Sequence, residues 1–274
     1  MLRGSLFPGR PSIYRVLGVV AMPVSLKTIE EELNSLLQPQ QFQDYCPNGL
    51  QVQGCQTVRR LVTGVTACQE LIDLAVSEKA DMLLVHHGYF WKGENPVLTG
   101  MKKRRIQTLL QHDINLFGFH LPLDVHPQLG NNAQLGKLLG FKTTGSFAAF
   151  QGGHIGLTGT VENPCQAREL VELITARLHR KPLLVGDINK QIKTIAWCTG
   201  AAQNYIEDAI AAEVDAFITG EVSEPTVHAA RESGLCFFAA GHHATERYGA
   251  QAVGEYLAEK FQLEHTFIDV DNPV

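Results

Sequence analysis

Strand-like and helix-like segments alternate along most of this 274-residue chain. The run RLVTGVTA (60–67) is typical of a strand, QELIDLAVSEKA (69–80) has helical periodicity, and DMLLVHHG (81–88) is typical of a buried strand. The same order of segments returns between residues 193 and 221. Strands that alternate with helices of roughly 10 to 15 residues predict βαβ units and a largely parallel sheet.

The two halves of this pattern resemble each other. Residues 61–88 can be laid over residues 195–222 without a gap, and Asp81 then meets Asp215. We therefore predict the α/β fold class with two related α/β lobes. The predicted lobes are residues 22–125 together with 243–274, and residues 126–242.

The first 21 residues follow a different pattern. They contain Arg3, Arg10 and Arg15 but no acidic residue, and a short apolar run ends at Met22. Such a segment is compatible with a transit-like presequence. We favour a start assigned too far upstream, with Met22 as the true beginning, or an unstructured extension, and exclude residues 1–21 from the fold prediction.

Composition excludes several classes of function. The formal net charge is −5 and no stripe of Lys and Arg is present, which argues against nucleic-acid binding. The basic run 102–105 opens a helical segment and is interpreted as a solvated helix face. The six cysteines form no CxxC pair, which argues against a zinc ribbon and fits the cytoplasm. No apolar run reaches the roughly 18 residues of a membrane span.

Histidines and carboxylates cluster where three of the predicted strands end. The clusters are His86 with His87, His120 with Asp124, and His242 with His243 and Glu246. Because open α/β sheets place their sites at the carboxyl ends of parallel strands, these clusters predict a metal site in the cleft between the two lobes. Two simpler readings stay open: Glu246 only supports the start of the last helix, and His120 is a buried histidine with satisfied hydrogen bonds.

The spacing within the last cluster separates its members. His242 and Glu246 are four residues apart and share a helix face, whereas His243 points elsewhere. Three histidines and two carboxylates exceed the ligand number of one catalytic zinc, which favours two metal ions about 3.5–4 Å apart.

Three segments together resemble the signatures of a known family. They are HHGYFWKG (86–93), HLPLDVHPQLGNNAQLG (120–136) and AAGHHATERYG (239–249). They are similar to the dinuclear-metal family first named for an NGG-interacting factor, whose bacterial members are commonly labelled GTP cyclohydrolase I type 2 homologues. PNGLQV (47–52), with Asp44 just upstream, is similar to the opening motif of that family. The resemblance extends from Met22 to the end of the chain.

The resemblance implies a site, a cofactor and an assembly. The implied metal ligands are His86, His87, Asp124, His242 and Glu246. His120 is a further ligand or a partner of one, His243 contacts a ligand or substrate, and either carboxylate could bridge. The cofactor would be two divalent ions per subunit, of Zn, Fe, Mn or Ni, in a toroidal homohexamer.

Two functions follow from these expectations. The first is a metal-dependent hydrolase of cyclohydrolase type, in which metal-bound hydroxide attacks a nucleotide or related small molecule and no further catalytic side chain is assigned. The alternative is a non-catalytic metal-binding oligomer that regulates or scaffolds protein partners.

Overall fold

The order of strands and helices in the computed structural model follows the predicted alternation. The structure describes residues 12–16 and 22–274. The strands are β1 (Ser12–Val16), β2 (Val24–Ser25), β3 (Gly49–Val52), β4 (Thr57–Val58), β5 (Arg60–Thr66), β6 (Met82–His87), β7 (Asn115–Gly118), β8 (Phe141–Phe150), β9 (Gly153–Gln166), β10 (Leu183–Val185), β11 (Gln191–Trp197), β12 (Ala216–Thr219), β13 (Cys236–Ala239) and β14 (Glu264–Asp269). The α-helices are α1 (Leu26–Leu37), α2 (Gln69–Ser77), α3 (Gly100–Gln111), α4 (Leu121–Val125), α5 (Asn131–Leu139), α6 (Ala167–Leu178), α7 (Ile206–Ala211), α8 (Glu224–Ser233), α9 (His242–Thr245) and α10 (Arg247–Phe261).

The chain divides into two compact units. The first comprises the residues up to Leu123 together with Gly249–Asp271, and the second comprises Asp124–Tyr248 together with Asn272–Val274. The chain was predicted to return to the first unit after residue 242, but it does so after Tyr248. The reason is packing, because Ala244 and Tyr248 contact the apolar core of the second unit.

The first unit is built on a six-stranded sheet with the order β1-β14-β5-β6-β7-β3. The strands β14, β5, β6 and β7 are parallel, and the edge strands β1 and β3 are antiparallel to their neighbours. Helix α2 connects β5 to β6, and α3 connects β6 to β7. Leu71, Ile72 and Ala75 form the buried face of α2 at helical spacing and pack in the core with Leu83 and Val85 of β6.

The second unit is built on a six-stranded sheet with the order β10-β13-β12-β11-β9-β8. The strands β11, β12 and β13 are parallel, with α7 and α8 as their connections, and β8 and β9 form an antiparallel hairpin. Trp197 at the end of β11 is fully buried and donates from Nε1 to the Asn132 carbonyl at 2.8 Å. Gly136 on α5 lies against this indole, where a Cβ atom would come within 2.7 Å of the ring.

The predicted relationship between the two lobes is confirmed in the hydrogen bonds of the sheets. The register pairs Leu61 with Met82 in the first unit and Ile195 with Ala216 in the second, which are matching positions of the sequence overlay. The Asp81 carboxylate accepts hydrogen bonds from two successive backbone N–H groups in the adjacent segment of the same chain, at 2.8 and 2.9 Å. The Asp215 carboxylate does the same at 2.9 and 3.0 Å. Each unit therefore contains the same βαβαβ core.

Three local predictions need correction. Residues 12–16 were excluded from the fold, yet they form β1, because an edge strand needs only a partner backbone and β14 provides it. The other residues of the N-terminal extension lie outside the described residues. The loop expected after β7 is the short helix α4, since a proline at the second helical position, Pro122, is tolerated there. The last helix, expected from residue 244, is divided at Glu246 into α9 and α10.

Every helix of the described residues lacks the length or the apolar character that a membrane span requires.

A buried histidine makes the stability of the first unit dependent on pH. His265 on β14 shares a 2.8 Å hydrogen bond with the Thr63 hydroxyl, and burial lowers its pKa to about 4. An unfolded chain binds this proton at about pH 6.5, so the stabilisation is complete above that pH and is lost as the pH falls toward 4.

We expect His265→Gln to remove this dependence, because glutamine keeps a hydrogen-bonding group but does not titrate. Between about pH 7.5 and pH 5 the unmodified protein should lose on the order of 1–2 kcal/mol more unfolding free energy than the variant. Urea denaturation at both pH values measures the difference. Equal losses in the two proteins would contradict the assignment.

Candidate metal centre

The histidines of the first unit lie at the carboxyl edge of its parallel strands. His86 and His87 end β6, and His120 follows β7. The two strands are parallel neighbours, and the bond from Phe119 N–H to the Val85 carbonyl, 3.0 Å, continues the pairing beyond β7. This continuation brings the three imidazoles to the same edge of the sheet.

The three imidazoles are close enough to share a ligand. His86, His87 and His120 can each offer one ring nitrogen such that the three atoms lie within 4.8 Å of one another. Their ring centroids are 4.4, 5.2 and 5.8 Å apart. His86 is fully buried, while His87 and His120 are half-buried. Three clustered imidazoles could hold a divalent metal ion.

Each of these rings is oriented through its Nδ1 atom. His86 Nδ1 donates to the Phe119 carbonyl at 2.9 Å, which fixes the proton on Nδ1 and makes Nε2 the donor atom for a metal. His87 Nδ1 lies 3.1 Å from the Thr66 hydroxyl. His120 Nδ1 lies 2.7 Å from Asp44 Oδ1. In metal-binding histidines, the ring nitrogen that does not bind the metal is usually fixed by a hydrogen bond in this way.

Asp44 was assigned no role from the sequence, but it organises this edge. Its carboxylate accepts from the ring of His120, from the Leu121 backbone N–H at 2.9 Å and from the Asn48 amide at 2.9 Å. Burial raises the pKa of Asp44, but the hydrogen bond and charge of His120 outweigh it, so that the pKa is lowered. Asp44 is therefore ionised, and its carboxylate holds the ring of His120 in place.

Cys46 lies in the same neighbourhood, where Asp44, Cys46 and His120 form a further cluster of potential metal ligands. Burial, assisted by the charge of Asp44, raises the pKa of the Cys46 thiol to about 12. Without a bound metal ion the thiol is therefore protonated near neutral pH.

The segment PNGLQV braces the ends of β6 and β7. Gln51 accepts from the Tyr89 N–H at 2.7 Å and donates to the Pro47 carbonyl at 2.8 Å. A Cβ atom at Gly88 or Gly118 would overlap the Gln51 amide, so both glycines leave the space that this side chain occupies.

In the second unit, two carboxylates flank His242. His242 Nδ1 lies 2.7 Å from Glu221 Oε1, and its Nε2 lies 3.1 Å from Glu246 Oε2. Burial lowers the pKa of His242, but the hydrogen bonds and charges of Glu246 and Glu221 outweigh burial and raise it to about 9. The predicted proximity of His242 and Glu246 is confirmed, and Glu221 is a partner to which the sequence assigned no role.

Glu246 lies against a glycine turn that the sequence did not single out. Gly200 follows β11 with φ +68°, and a Cβ atom there would overlap Glu246 Oε1. The Gly200 N–H donates to the Thr245 hydroxyl at 3.1 Å. The Glu246 carboxylate therefore faces His242 and the Gly200 turn, which argues against a role limited to supporting the start of α10.

Asp124 lies close to the same turn. Its Oδ1 accepts from the Asn131 amide at 2.9 Å and from the Thr199 hydroxyl at 3.3 Å. Burial and the charges of Asp124 and Glu246 raise the pKa of the Cys198 thiol well above its usual range, which places both carboxylates near the end of β11. The second unit thus gathers three carboxylates, Asp124, Glu221 and Glu246, around the imidazole of His242 and the end of β11.

The predicted site residues fall into two sets. The first unit holds His86, His87 and His120, and the second holds Asp124, His242 and Glu246. His243 is buried, and its backbone N–H donates to the Val274 carbonyl at 3.0 Å. Its role toward a ligand or substrate stays a prediction, as does the dinuclear centre.

Comparison with known proteins gives concordant matches. The family model described as Duf34/NIF3 (NGG1p interacting factor 3) matches residues 24–273. A protein of Pseudomonas aeruginosa named GTP cyclohydrolase 1 type 2 homolog is 56% identical over 252 residues, which cover 92% of this chain and 100% of that protein. Its namesake in Escherichia coli K12 is 53% identical over 246 residues, which cover 89% and 98%.

Solved structures share the fold. The structure described as protein ybgI, of unknown function, superposes with a TM-score of 0.87 at 51% identity and covers 92% of this chain and 100% of that one. TTHA1606 from Thermus thermophilus superposes with a TM-score of 0.81 at 31% identity and covers 92% and 99%.

The Gly200 turn can be tested against a matched glycine. Gly234 has nearly the same φ, +72°, but no atom of the described residues lies within 4 Å of its Cβ position. Gly234→Ala should therefore cost only the left-handed strain, about 1 kcal/mol, whereas Gly200→Ala should cost about 1–3 kcal/mol more through overlap with Glu246. Urea denaturation of both variants measures the difference.

A double variant identifies the overlapping group. In Gly200→Ala combined with Glu246→Ala the overlap is absent, so the two effects should be non-additive by more than about 0.5 kcal/mol. Additive effects would show that Glu246 does not depend on the glycine.

Proposed function

Because the chain belongs to the Duf34/NIF3 family, we propose that it binds divalent metal ions and acts as a metal-dependent hydrolase on a small molecule. The observation that supports this most directly is the cluster of His86, His87 and His120 with their Nδ1 atoms hydrogen-bonded. Relatives named GTP cyclohydrolase 1 type 2 homolog suggest a nucleotide or a related compound as the substrate.

The donor atoms fit a divalent metal. Imidazole nitrogens bind Zn, Fe, Ni and Mn-type ions, and carboxylates add negative charge and can bridge two ions. The proposed ligands are His86, His87, Asp124, His242 and Glu246, with His120 as a further donor. This number exceeds the three protein ligands of one catalytic zinc, so we propose two ions per chain.

Bound divalent ions would supply Lewis acidity and make water a stronger nucleophile near neutral pH. The protein contributes orientation and proton placement. Asp44 holds the Nδ1 proton of His120, and the Phe119 carbonyl holds that of His86. His242 carries its proton between Glu221 and Glu246, and it has to release the proton from Nε2 to become a ligand.

A second candidate function is a non-catalytic metal-binding oligomer that regulates or scaffolds. One observation favours it. The carboxylate beside the clustered imidazoles, Asp44, already accepts hydrogen bonds from His120, Leu121 and Asn48, so it is poorly placed to act as a general acid.

In either function we propose a toroidal homohexamer, which a mass measurement in solution tests.

Metal content is the first test. Elemental analysis of the purified protein should give close to two divalent ions per chain, and His86→Ala or Glu246→Ala should lower this number. His228→Ala is the matched control, because His228 also pairs with a glutamate four residues away, Glu224 at 2.8 Å, but on an exposed helix face. Absence of metal after reconstitution would disprove the proposal.

Turnover separates the two functions. The metal-loaded protein should hydrolyse at least one member of a panel of nucleotides, phosphodiesters and pterin precursors. Asp124→Ala and Glu246→Ala should lower the rate at least roughly 100-fold, because they remove proposed ligands, and His228→Ala should leave it unchanged. A protein that holds metal but turns over nothing would favour the non-catalytic function.

The orienting carboxylate gives an independent prediction. Asp44→Asn keeps every proposed ligand but weakens the hold on His120, so metal affinity should fall about 10- to 100-fold while the number of sites stays the same. Competition with a chelator measures the affinity. The control is Asp73→Asn, because the Asp73 carboxylate lies on the exposed face of α2 and accepts from the Gln69 amide one turn away. Equal affinities of the two variants would remove Asp44 from the site.

A further inference from the structure

We propose that Trp91 and Tyr45 form an aromatic platform beside His120 that binds a planar heteroaromatic ring of the substrate. The inference rests on the proposed function, because the platform lies against the imidazoles proposed to hold the metal. It adds the side chains that would select the planar ring of such a substrate.

The platform contacts the imidazoles directly. The ring centroid of Trp91 lies 5.0 Å from that of His120 at an interplanar angle of 79°, and 6.0 Å from that of His87. The ring of Tyr45 lies 6.4 Å from His120. The two aromatic side chains therefore adjoin the imidazoles that are proposed to hold a metal ion.

Hydrogen bonds fix the position of Trp91. Its indole Nε1 donates to the Gly88 carbonyl at 3.2 Å, and its backbone N–H donates to the Glu94 carboxylate at 3.2 Å. Glu94 in turn pairs with Lys102 at 3.1 Å, whose side chain is largely shielded from water. Because the indole N–H is used within the protein, Trp91 offers a ligand its apolar ring surface.

Tyr45 belongs to the same framework. Its backbone N–H donates to Asp44 Oδ1 at 2.6 Å, and its carbonyl accepts from the Lys92 N–H at 2.6 Å. Asp44 is also the carboxylate that holds His120. The indole of Trp91 and the backbone of Tyr45 are therefore held in place before any substrate arrives, which lowers the entropy cost of binding.

Exposed apolar side chains occur in the segments that carry the platform. Tyr45 is 58% exposed, and the loop that carries Trp91 also exposes Phe90, Val97 and Leu98. Exposed apolar patches at the edge of a polar cluster are characteristic of ligand sites. Aromatic side chains favour flat partners, because ring pairs attract in stacked and edge-to-face arrangements. Lys92, exposed beside Trp91, suits an anionic substituent on such a ring.

The test compares planar probes with a sugar phosphate that has no aromatic ring. Adenosine and guanosine 5′-monophosphate, flavin mononucleotide and a pterin are each compared with ribose 5-phosphate, using equilibrium dialysis with the full chain. At least one planar probe should bind roughly 10-fold more tightly than ribose 5-phosphate. If no planar probe binds more tightly, the platform is disproved.

Two leucine variants assign the effect to the platform. Trp91→Leu and Tyr45→Leu should each weaken the planar probe by roughly 3- to 10-fold and leave ribose 5-phosphate unaffected. Phe261→Leu is the matched control. Phe261 ends α10, and the chain then continues to the amino ends of the parallel strands, whereas the platform lies beside histidines at their carboxyl ends. A platform variant that behaves like this control would overturn the assignment.

Fluorescence gives a readout that does not depend on activity. The chain has two tryptophans, and Trp197 is fully buried in the second unit. A planar probe should change the emission of the unmodified protein, and the change should disappear in Trp91→Phe, which keeps a ring at this position. A change that persists in Trp91→Phe would place the probe elsewhere.

Failure of this inference is distinguishable from failure of the proposed function. All binding measurements are made on metal-free and on metal-loaded protein, with the metal content determined in parallel. Protein that holds metal but does not discriminate planar probes would disprove the platform alone. Protein that discriminates planar probes but never holds metal would disprove the proposed function and leave only a ring-binding surface.

Discussion

At the amino ends of the parallel strands, one aspartate in each sheet connects three strands. Asp81 precedes β6, accepts two N–H groups from the chain of β5 through its carboxylate, and accepts the Asn115 N–H of β7 through its carbonyl at 3.0 Å. Asp215 makes the same contacts in the second unit, with Cys236 as the third partner at 3.1 Å. These contacts fix the register at the amino ends of the strands, and a one-residue slip would move every side chain to the other face.

The strand register, which is fixed at the amino ends, determines which side chains lie together at the carboxyl ends. In the first unit, Leu61, Met82 and Asn115 are aligned, and equal steps along the three strands lead to Thr66, His87 and His120. In the second unit, equal steps from the aligned residues lead to Gly200, Glu221 and Gly241. At equivalent positions after the strands, the first unit therefore carries imidazoles. The second unit carries a carboxylate between two glycines, and His242 and Glu246 lie beside these glycines.

This regularity explains how much of the molecule could be predicted from the sequence. Periodicity and strand ends predicted the α/β fold, the related lobes and the clusters around His86 and His242, because these depend on local patterns. Asp44, Glu221 and Gly200 were not identified, because their roles arise from chain segments that are distant in sequence and meet only in the folded protein. The strand β1 was not predicted because an edge strand is specified by its partner backbone rather than by its own pattern.

The order of the strands has a consequence for synthesis on the ribosome. The first sheet places β14 between β1 and β5, yet β14 is the last strand of the chain. Asp124–Tyr248, which is nearly all of the second unit, is therefore translated before the first sheet can be completed. Until then β5 exposes the backbone groups that β14 later pairs, and such an edge is a template for wrong strand pairing. During this interval β5 has to avoid wrong pairing while nearly all of the second unit is synthesised.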